Sequence, residues 1–308
     1  MSIADKKMPE FKQFLDKKYS KPTAHNVFRN VKHFREYYPK RAEKAEYQDV
    51  IKYIAYLRKN TDLHPKTLIH CLFSIKVYFN WLLETGRRKD HPCSELYLKD
   101  KINKQIQVEN LYSEETLQQF FEYEHKTRRK PYLDRRNKII VSLLVFQALN
   151  VTELVNIELK DVDLTNGEIF IKANHHQQSR TLPLKANQIM LIYNYLNEDR
   201  PKLLEFGSSY KKAHELFIIG QFGRRIHASN VGYIINENRP EHDHLSPMKI
   251  RQSVIANLLK KEHDTRIVQV FAGHKQASTT EQYKQNALET LQSAINQYHP
   301  LLKMKNVE

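Results

Sequence analysis

One short strand-like stretch interrupts a chain whose other apolar residues recur mainly at helical spacing. Glu168 to Lys172 (EIFIK) and Arg180 to Leu184 (RTLPL) flank a polar tip, ANHHQQS, which is the pattern of a β-hairpin. Pro183 suits an edge or the end of a strand, because proline cannot donate a ladder hydrogen bond. Only seven glycines occur in 308 residues, which favours helices elsewhere. The sequence therefore predicts a mainly α-helical fold with a small β-sheet.

The first hundred residues predict a helical domain. Residues 22–37 form one candidate helix, and Asp49 to Asn60 form a second. A third begins near Pro65, which is favourable in a first helical turn, and ends at Gly86. Trp81, inside that third helix, is expected in the core rather than on a surface that stacks on bases.

A polar, charged and weakly periodic segment, KDKINKQIQVEN, follows at 99–110 and predicts a linker. We therefore place a helical domain at 1–100, a linker at 101–111 and a second domain at 112–308. Ser113 is the expected N-cap of the first helix of that second domain. Further helices are predicted at 139–149, at Thr152 to Leu159, from Ser246-Pro247 onward, and at 267–271, the last closed by Gly273.

The charge of the chain favours a polyanionic partner. Lysine and arginine number 50 against 35 acidic residues, a formal net charge of +15. Such an excess points first to nucleic acid, with an anionic membrane surface as the main rival. One segment, KTRRKPYLDRRNK at 126–138, carries seven cations and one acid. It is either a solvated loop and helix start or a surface that contacts DNA phosphates through Arg128, Arg129, Lys130, Arg135 and Arg136.

Cysteine content and hydropathy indicate the cellular compartment in which the protein is expected. Cys71 and Cys93 do not make a disulfide framework, and no apolar run is long enough to span a bilayer. We expect a cytoplasmic protein that needs no metal or other cofactor. The pair His175-His176 resembles half a metal site, but no cysteine or acidic cluster completes it. The run EHDH at 241–244 could also bind a metal, but it falls in a predicted loop just before a helix cap.

Three residues near the carboxyl terminus suggest covalent chemistry on a nucleic-acid backbone. Arg251 is followed twenty-three residues later by His274, and Tyr283 comes nine residues after that histidine. Phosphodiester cleavage without a metal needs a nucleophile, cations on the non-bridging oxygens and an acid for the leaving oxygen. A guanidinium fork matches phosphate, an imidazole can donate a hydrogen bond to it, and a phenol can attack phosphorus.

The stretch LSPMKIRQSVIANLL…VQVFAGHKQASTTEQY resembles the carboxyl-terminal signature of the tyrosine recombinase (phage integrase-like) family. That signature reads approximately T-P-H-x-L-R-H-x-x-x-x-x-L-L, then L-G-H, then T-x-x-x-Y. Upstream, ALNVTELVNIELKDVDL is similar to the family's G-L-R-x-S-E-L-x-x-L-x-x-x-D-I/V. The resemblance implies a helical, SAM-like core-binding domain and an α+β catalytic domain that together grip duplex DNA. It implies that Tyr283 is the nucleophile and that Arg251 and His274 bind the phosphate.

This chain departs from the family pattern at three positions. The first family arginine falls on Asn150, which carries no charge, and the histidine before the second arginine falls on Met248. His244 is the nearest possible substitute for that histidine. The hairpin lysine of the family corresponds to Lys172, the favoured general acid, although counting back from Pro183 ends near His175 instead. Glu153 is expected to orient its neighbours rather than to carry a proton.

The resemblance implies a site-specific recombinase of the integrase or transposase type that forms a 3′-phosphotyrosyl bond without ATP. The alternative is a DNA-binding relative that has lost catalysis and acts as an architectural or regulatory factor, which Asn150 and Met248 favour. An amphipathic pattern at 287–295 predicts a C-terminal helix that packs on its own domain or, as the resemblance implies, docks on a neighbouring copy in a dimer or tetramer on DNA.

Overall fold

The computed structural model describes residues 8–39, 42–100, 106, 110–123, 131–175, 177–205, 213–237 and 239–283. The chain divides into two compact units, Met1–Lys104 and Gln105–Glu308. Within the described ranges, none of the helices combines the length and the apolar character needed to cross a bilayer. The predicted helix at 287–295 and the cationic residues Arg128, Arg129 and Lys130 lie outside the described residues.

The described residues of the first unit form four α-helices, and the apolar spacing of the sequence predicts the last three of them. They are α1 (Met8–Lys18), α2 (Lys21–Tyr37), α3 (Tyr47–Asn60) and α4 (Pro65–Glu84). Pro65 begins α4, and the backbone N–H of Gly86 bonds the carbonyl of Leu83 just beyond its end. Trp81 is only 2% exposed, which confirms its place in the core. Phe11 packs against it with ring centroids 5.1 Å apart.

The second unit contains eight helices among its described residues. They are α5 (Glu114–Glu122), α6 (Asp134–Phe146), α7 (Val151–Leu154), α8 (Ala186–Asn194), α9 (Arg200–Glu205), α10 (Ala228–Asn236), α11 (Pro247–Lys260) and α12 (Thr265–Ala272). The predicted N-cap of α5 is confirmed, because the Ser113 hydroxyl accepts a hydrogen bond from the backbone N–H of Thr116 at 3.2 Å. A π-helical turn, Tyr195–Asp199, joins α8 to α9.

Helix α6 forms the centre of this unit's core. Ile139, Ile140, Leu143 and Leu144 are all fully buried, since nearly every position of this apolar helix meets a neighbouring element. Burying such side chains stabilises a fold by about 1.5–3 kcal/mol each relative to leaving them exposed. Helix α11 packs against α6, and α12 packs against α11, so that the end of α6 lies near the end of α12.

A three-stranded antiparallel sheet accompanies these helices, in the order β1 (Val162–Asp163), β2 (Glu168–Ile171) and β3 (Arg180–Pro183). Strands β2 and β3 form the predicted hairpin, with Ile171 opposite Arg180 and Glu168 opposite Pro183. Alternation along β3 turns Arg180 and Leu182 toward the interior. This register carries the charged side chain of Arg180 into the core.

Two predicted details differ from the structure. The helix predicted from Thr152 to Leu159 ends at Leu154, because a 3-10 turn, Leu159–Asp161, forms a separate element. At the start of that turn, Asp161 Oδ2 accepts from the backbone N–H of Glu158 at 2.9 Å. Strand β1 was not predicted, because its two residues are too few to show any alternation.

Candidate active site

Arg251 lies at the centre of a buried polar cluster in the second unit. It projects from α11, and only 5% of its surface is exposed. One guanidinium nitrogen, Nη1, donates to the carbonyl of Ala148, and the other, Nη2, donates to the carbonyl of Ala272 at 2.5 Å. Ala148 adopts a positive φ of 49°, a conformation that L-residues rarely take. The fork of Arg251 therefore ties the end of α6 to the end of α12.

A second buried guanidinium shares a carboxylate with Arg251. Arg180 Nη1 donates to Glu153 Oε1 at 2.7 Å, and Arg180 Nη2 donates to Glu153 Oε2 at 3.3 Å. Arg251 Nη1 lies 3.7 Å from Glu153 Oε2. The side chains of Arg180 and Glu153 are only 2% and 1% exposed. Because charges interact strongly away from water, this arginine–glutamate–arginine group sets the electrostatics of the site.

The turn before α7 supplies the uncharged part of the cluster. The side-chain oxygen of Asn150 accepts from the backbone N–H of Glu153 at 2.8 Å, and Glu153 Oε2 accepts from the backbone N–H of Asn150 at 3.0 Å. This reciprocal pair is a capping box. The amide oxygen of Gln177, in the orientation that satisfies both of its ends, accepts from Arg251 Nη2 at 3.2 Å and from Asn150 at 3.0 Å. The hairpin tip thus contacts the same cluster.

His274 follows α12 and is held as a neutral imidazole. Its Nδ1 lies 2.8 Å from the hydroxyl of the fully buried Thr280. Burial, together with the positive charges of Arg251 and Arg180, lowers the pKa of His274 to about 4. If the Thr280 hydroxyl donates to Nδ1, the proton of the neutral ring is on Nε2, which is then a hydrogen-bond donor.

Gly273 allows this histidine to sit beside Arg180. It ends α12 with a positive φ of 71°, which glycine adopts without strain. A Cβ at this position would overlap the guanidinium of Arg180, with the Arg180 Cζ only 3.0 Å away. The backbone N–H of Gln178 also donates to the Gly273 carbonyl at 2.9 Å, so a hydrogen bond joins the hairpin to this turn.

Tyr283 is buried in the same region, with 7% of its surface exposed. Its ring belongs to an apolar cluster with Ile255, Ala256, Val268 and Ala272. Burial raises the pKa of the phenol, and the nearby positive charge of Arg251 acts in the opposite direction. The structure therefore brings Arg251, His274 and Tyr283 together from α11, the turn after α12 and the segment that follows it. This arrangement can hold one anion and present a phenol to it.

Comparison with known proteins identifies this arrangement. The sequence model of the phage integrase family matches residues 112–289, more than half of the chain, and that of the phage integrase N-terminal SAM-like domain matches residues 6–87. The chain belongs to the phage integrase family. This match agrees with the mainly helical fold, the small sheet and the two domain types that the sequence predicts.

Relatives and solved structures in this tyrosine recombinase family span most of the chain. Tyrosine recombinase XerC of Staphylococcus epidermidis is 26% identical over 271 residues, 85% of this chain and 84% of its own length. XerC of Leptospira interrogans is 25% identical over 294 residues, 93% of this chain and 90% of its own. The structure of XerH recombinase bound to difH has a TM-score of 0.67 and 18% identity, covering 90% of this chain and 81% of that one.

A structure of the Tn1549 transposon integrase in complex with transposon right end DNA has a TM-score of 0.60 at 13% identity. It covers 90% of this chain and 93% of that chain. At such low identity, these two solved structures support the family fold and carry no information about individual residues.

Of the three departures from the family pattern, Asn150 and Met248 have different structural settings. Asn150 lies inside the cluster, where the family places its first arginine, and its side chain is used to cap α7. Met248 is 68% exposed and offers no hydrogen-bond donor. His244, the possible substitute, is exposed, and its Nε2 lies 3.0 Å from the carbonyl of Arg239. The structure thus does not show His244 joining Arg251.

Lys172 stands apart from the cluster in this structure. Its Nζ lies 2.6 Å from Glu158 Oε1 and 3.3 Å from Asp161 Oδ2. Hydrogen bonding to Glu158 raises the pKa of this ammonium. A different ammonium, that of Lys275, donates to the carbonyl of His175 at the hairpin tip at 3.0 Å. The role of Lys172 as general acid stays a prediction.

In the described part of the basic segment at 126–138, Arg136 is buried and Arg135 is partly exposed. The prediction for Arg136 is wrong, because its side chain turns into the core and is 4% exposed. Its Nε donates to Asn137 Oδ1 at 3.0 Å. Arg135 is partly exposed, and its Nη1 donates to Glu198 and to Asp199, each at 2.8 Å. Contact between Arg135 and DNA stays a prediction.

Three residues of the cluster, Arg180, Gln177 and Thr280, are not among those predicted from the sequence. Arg180 had a readable signal, since an arginine at an inward position of an alternating strand must find a buried partner. Thr280 stands within TTEQY, where the family pattern draws attention to the threonine one residue earlier. Gln177 gave no signal, because its contacts depend on how the hairpin tip folds back.

The low pKa of His274 predicts a loss of stability in acid. The folded state resists protonation down to a pH of about 4, whereas an unfolded histidine binds a proton near pH 6.5. The unfolded state therefore binds more protons between these values, and the free energy of unfolding falls by about 3 kcal/mol as pH drops through this window. Urea unfolding of the wild type and of His274→Gln from pH 7 to pH 4 measures this. Parallel pH dependence in the two proteins would contradict it.

Proposed function

We propose that this chain is a site-specific recombinase that cleaves and rejoins duplex DNA through a 3′-phosphotyrosyl bond to Tyr283. The observation that carries the proposal is the position of Arg251, which donates to two backbone carbonyls and is near enough for its charge to act on both His274 and the phenol of Tyr283. Family membership supports the same activity. The relatives named above are recombinases, and two of the solved structures contain DNA.

The chemistry follows from these groups. The phenolic oxygen of Tyr283 attacks phosphorus and gives up its proton to a solvent water as the oxygen–phosphorus bond forms. Arg251 and the Nε2–H of His274 hold the non-bridging oxygens, whose charge grows in the transition state. The bond from phosphorus to the 5′-oxygen breaks, and that oxygen takes a proton from an acid. A free 5′-hydroxyl from a partner strand later reverses these steps, so the phosphotyrosyl ester conserves the bond energy without ATP.

Covalent trapping tests the proposal. A duplex taken from the DNA that flanks the encoding gene is nicked just beyond each candidate phosphate, so that the short 5′-hydroxyl fragment diffuses away after cleavage. The protein then stays attached to the 3′ end, and the adduct survives denaturing electrophoresis. The competing function, a silent DNA-binding relative, predicts binding of the same duplexes with no adduct at any position. Asn150 and Met248 are the residues that favour this alternative.

The proton donor for the leaving oxygen is assigned to Lys172, on the strength of its place beside the hairpin. We expect Lys172→Ala to lower single-turnover cleavage about a hundredfold, the usual contribution of a positioned acid. A substrate with sulfur in place of the 5′-bridging oxygen should restore the rate, because a thiolate leaves without a proton. Lys160→Ala, which removes another ammonium from Glu158, is the matched control.

Equal cleavage of both substrates by Lys172→Ala and the wild type would contradict this assignment. The same pair of substrates applied to Lys275→Ala then tests the ammonium at the hairpin tip, whose distance to the His175 carbonyl is 3.0 Å.

The amphipathic segment at 287–295 supports a further part of the proposal. Its apolar residues, Ala287, Leu288, Leu291, Ala294 and Ile295, recur at helical spacing. We propose that this segment docks on a second copy of the chain when both are bound to DNA. Replacing Leu288 and Leu291 by serine should then leave binding of a single protein to a half-site intact and weaken the assembly of two copies on a full site.

A further inference from the structure

The buried cluster carries an unequal number of charges. Arg180 and Arg251 are both guanidinium groups, Glu153 is their shared carboxylate, and His274 is neutral at pH 7. Two positive charges against one negative charge leave one positive charge without a counterion among these residues. Burying such a charge is costly unless an anion can pair with it. A phosphodiester carries one negative charge and would complete the balance.

Arg180 has unused capacity to act on that anion. Its terminal nitrogens are taken by Glu153, but its Nε is buried and has no hydrogen-bond partner among the described residues. Its guanidinium lies directly against Gly273, the residue before His274. Burial lowers the pKa of both Arg251 and His274, and the charge of Arg180 acts on each in the same direction. Arg180 is therefore part of the same electrostatic site as the two residues that the sequence identified.

The family pattern places an arginine where this chain has Asn150, so one guanidinium is missing from its usual position. We propose that Arg180 is a positioning residue that supplies this second positive charge, acting on the scissile phosphate through the Glu153–Arg251 pair and from behind His274. The inference rests on the proposed function for the identity of the anion. It explains how the site keeps its charge although Asn150 is neutral.

A cleavage experiment tests the role of this charge. Arg180→Gln is expected to lower single-turnover cleavage of a nicked duplex about a hundredfold, comparable to removing one donor from a developing oxyanion. A methylphosphonate at the scissile position has no negative charge, so Arg180→Gln and the wild type should cleave it at similar rates. A merely structural role would reduce cleavage of both substrates alike, and that result would overturn the inference. Unchanged cleavage of the phosphodiester by a folded Arg180→Gln would overturn it as well.

Moving the guanidinium back to the family position gives a second test. Asn150→Arg alone should not raise cleavage, because Arg180 already provides the charge and the cap of α7 is lost. The double variant with Asn150→Arg and Arg180→Gln should cleave at least about ten times faster than Arg180→Gln alone. Recovery in this double variant also shows that the fold survives without Arg180. A double variant that folds and recovers nothing would count against the inference.

A binding experiment separates this inference from the proposed function. Inorganic phosphate at constant ionic strength should raise the unfolding temperature of the wild type relative to chloride, because a ligand that binds only the folded state stabilises it. Arg180→Gln should lose this increase, whereas Arg58→Gln, which removes an arginine paired with Asp100 in the first unit, should keep it. If the wild type shows this response and forms no adduct with any duplex, the recombinase proposal fails and the anion site stands. An increase of the same size in Arg180→Gln would overturn the inference.

Discussion

Tyr283→Phe is expected to abolish the covalent adduct between protein and DNA, with a loss of more than about 10⁴-fold in single-turnover cleavage, the scale seen when a nucleophile is removed. The phenylalanine ring can keep the apolar contacts with Ile255, Val268 and Ala272. Stability and DNA affinity should therefore change little. Denaturing electrophoresis of a nicked duplex measures the adduct, and an electrophoretic mobility shift measures binding.

A matched control is available for this substitution. Tyr233 is 69% exposed on α10, so Tyr233→Phe removes a phenol from the surface of the same unit. This variant should form the adduct at the wild-type rate. An adduct that persists in Tyr283→Phe and disappears in Tyr233→Phe or another tyrosine variant would show that the nucleophile has been misassigned.

Arg251→Lys is expected to be nearly as damaging to cleavage, although it keeps the charge. A lysine ammonium is a point charge and cannot reproduce the two directed contacts of the fork to the carbonyls of Ala148 and Ala272. Loss of an oriented donor to the phosphate should lower single-turnover cleavage by about 10²–10³-fold. Leaving buried carbonyls without donors should also lower the free energy of unfolding by about 2 kcal/mol.

Chemical denaturation and single-turnover cleavage measure these two effects separately. Arg266→Gln, an exposed arginine of α12, is the control and should change neither quantity. Cleavage by Arg251→Lys at the wild-type rate would mean that Arg251 holds the fold together and has no part in binding phosphate.

The sequence predicted the main elements of the fold because each has a strong local signal. The apolar spacing of α4 and α11, the N-cap at Ser113 and the polar tip between β2 and β3 all depend on residues close together in the chain. Where the structure differed, the outcome depended on contacts that are distant in sequence. Arg136 stands in a cationic segment, but its position on α6 turns it inward, where its Nη1 donates to the carbonyl of Ile219, far along the chain.

The same contrast between local signals and distant contacts applies to the candidate site. Arg251, His274 and Tyr283 could be selected because their spacing matches a known pattern. Arg180 had only its inward position on β3 as a signal. Its partner Glu153 lies on a different element, and the pair forms only when the hairpin packs against the start of α7. A second positive charge near Asn150 can therefore be found only in three dimensions. Sequence alone predicted a depleted site, and the structure contains a second buried guanidinium.

The most direct measurement is the mass of the peptide that carries DNA after the trapped adduct is digested with protease and nuclease. The account predicts one modified peptide, containing Tyr283 esterified to a 3′-phosphonucleotide. A nucleotide attached to any other residue would contradict it, as would DNA that is bound tightly by the protein and never becomes covalently linked.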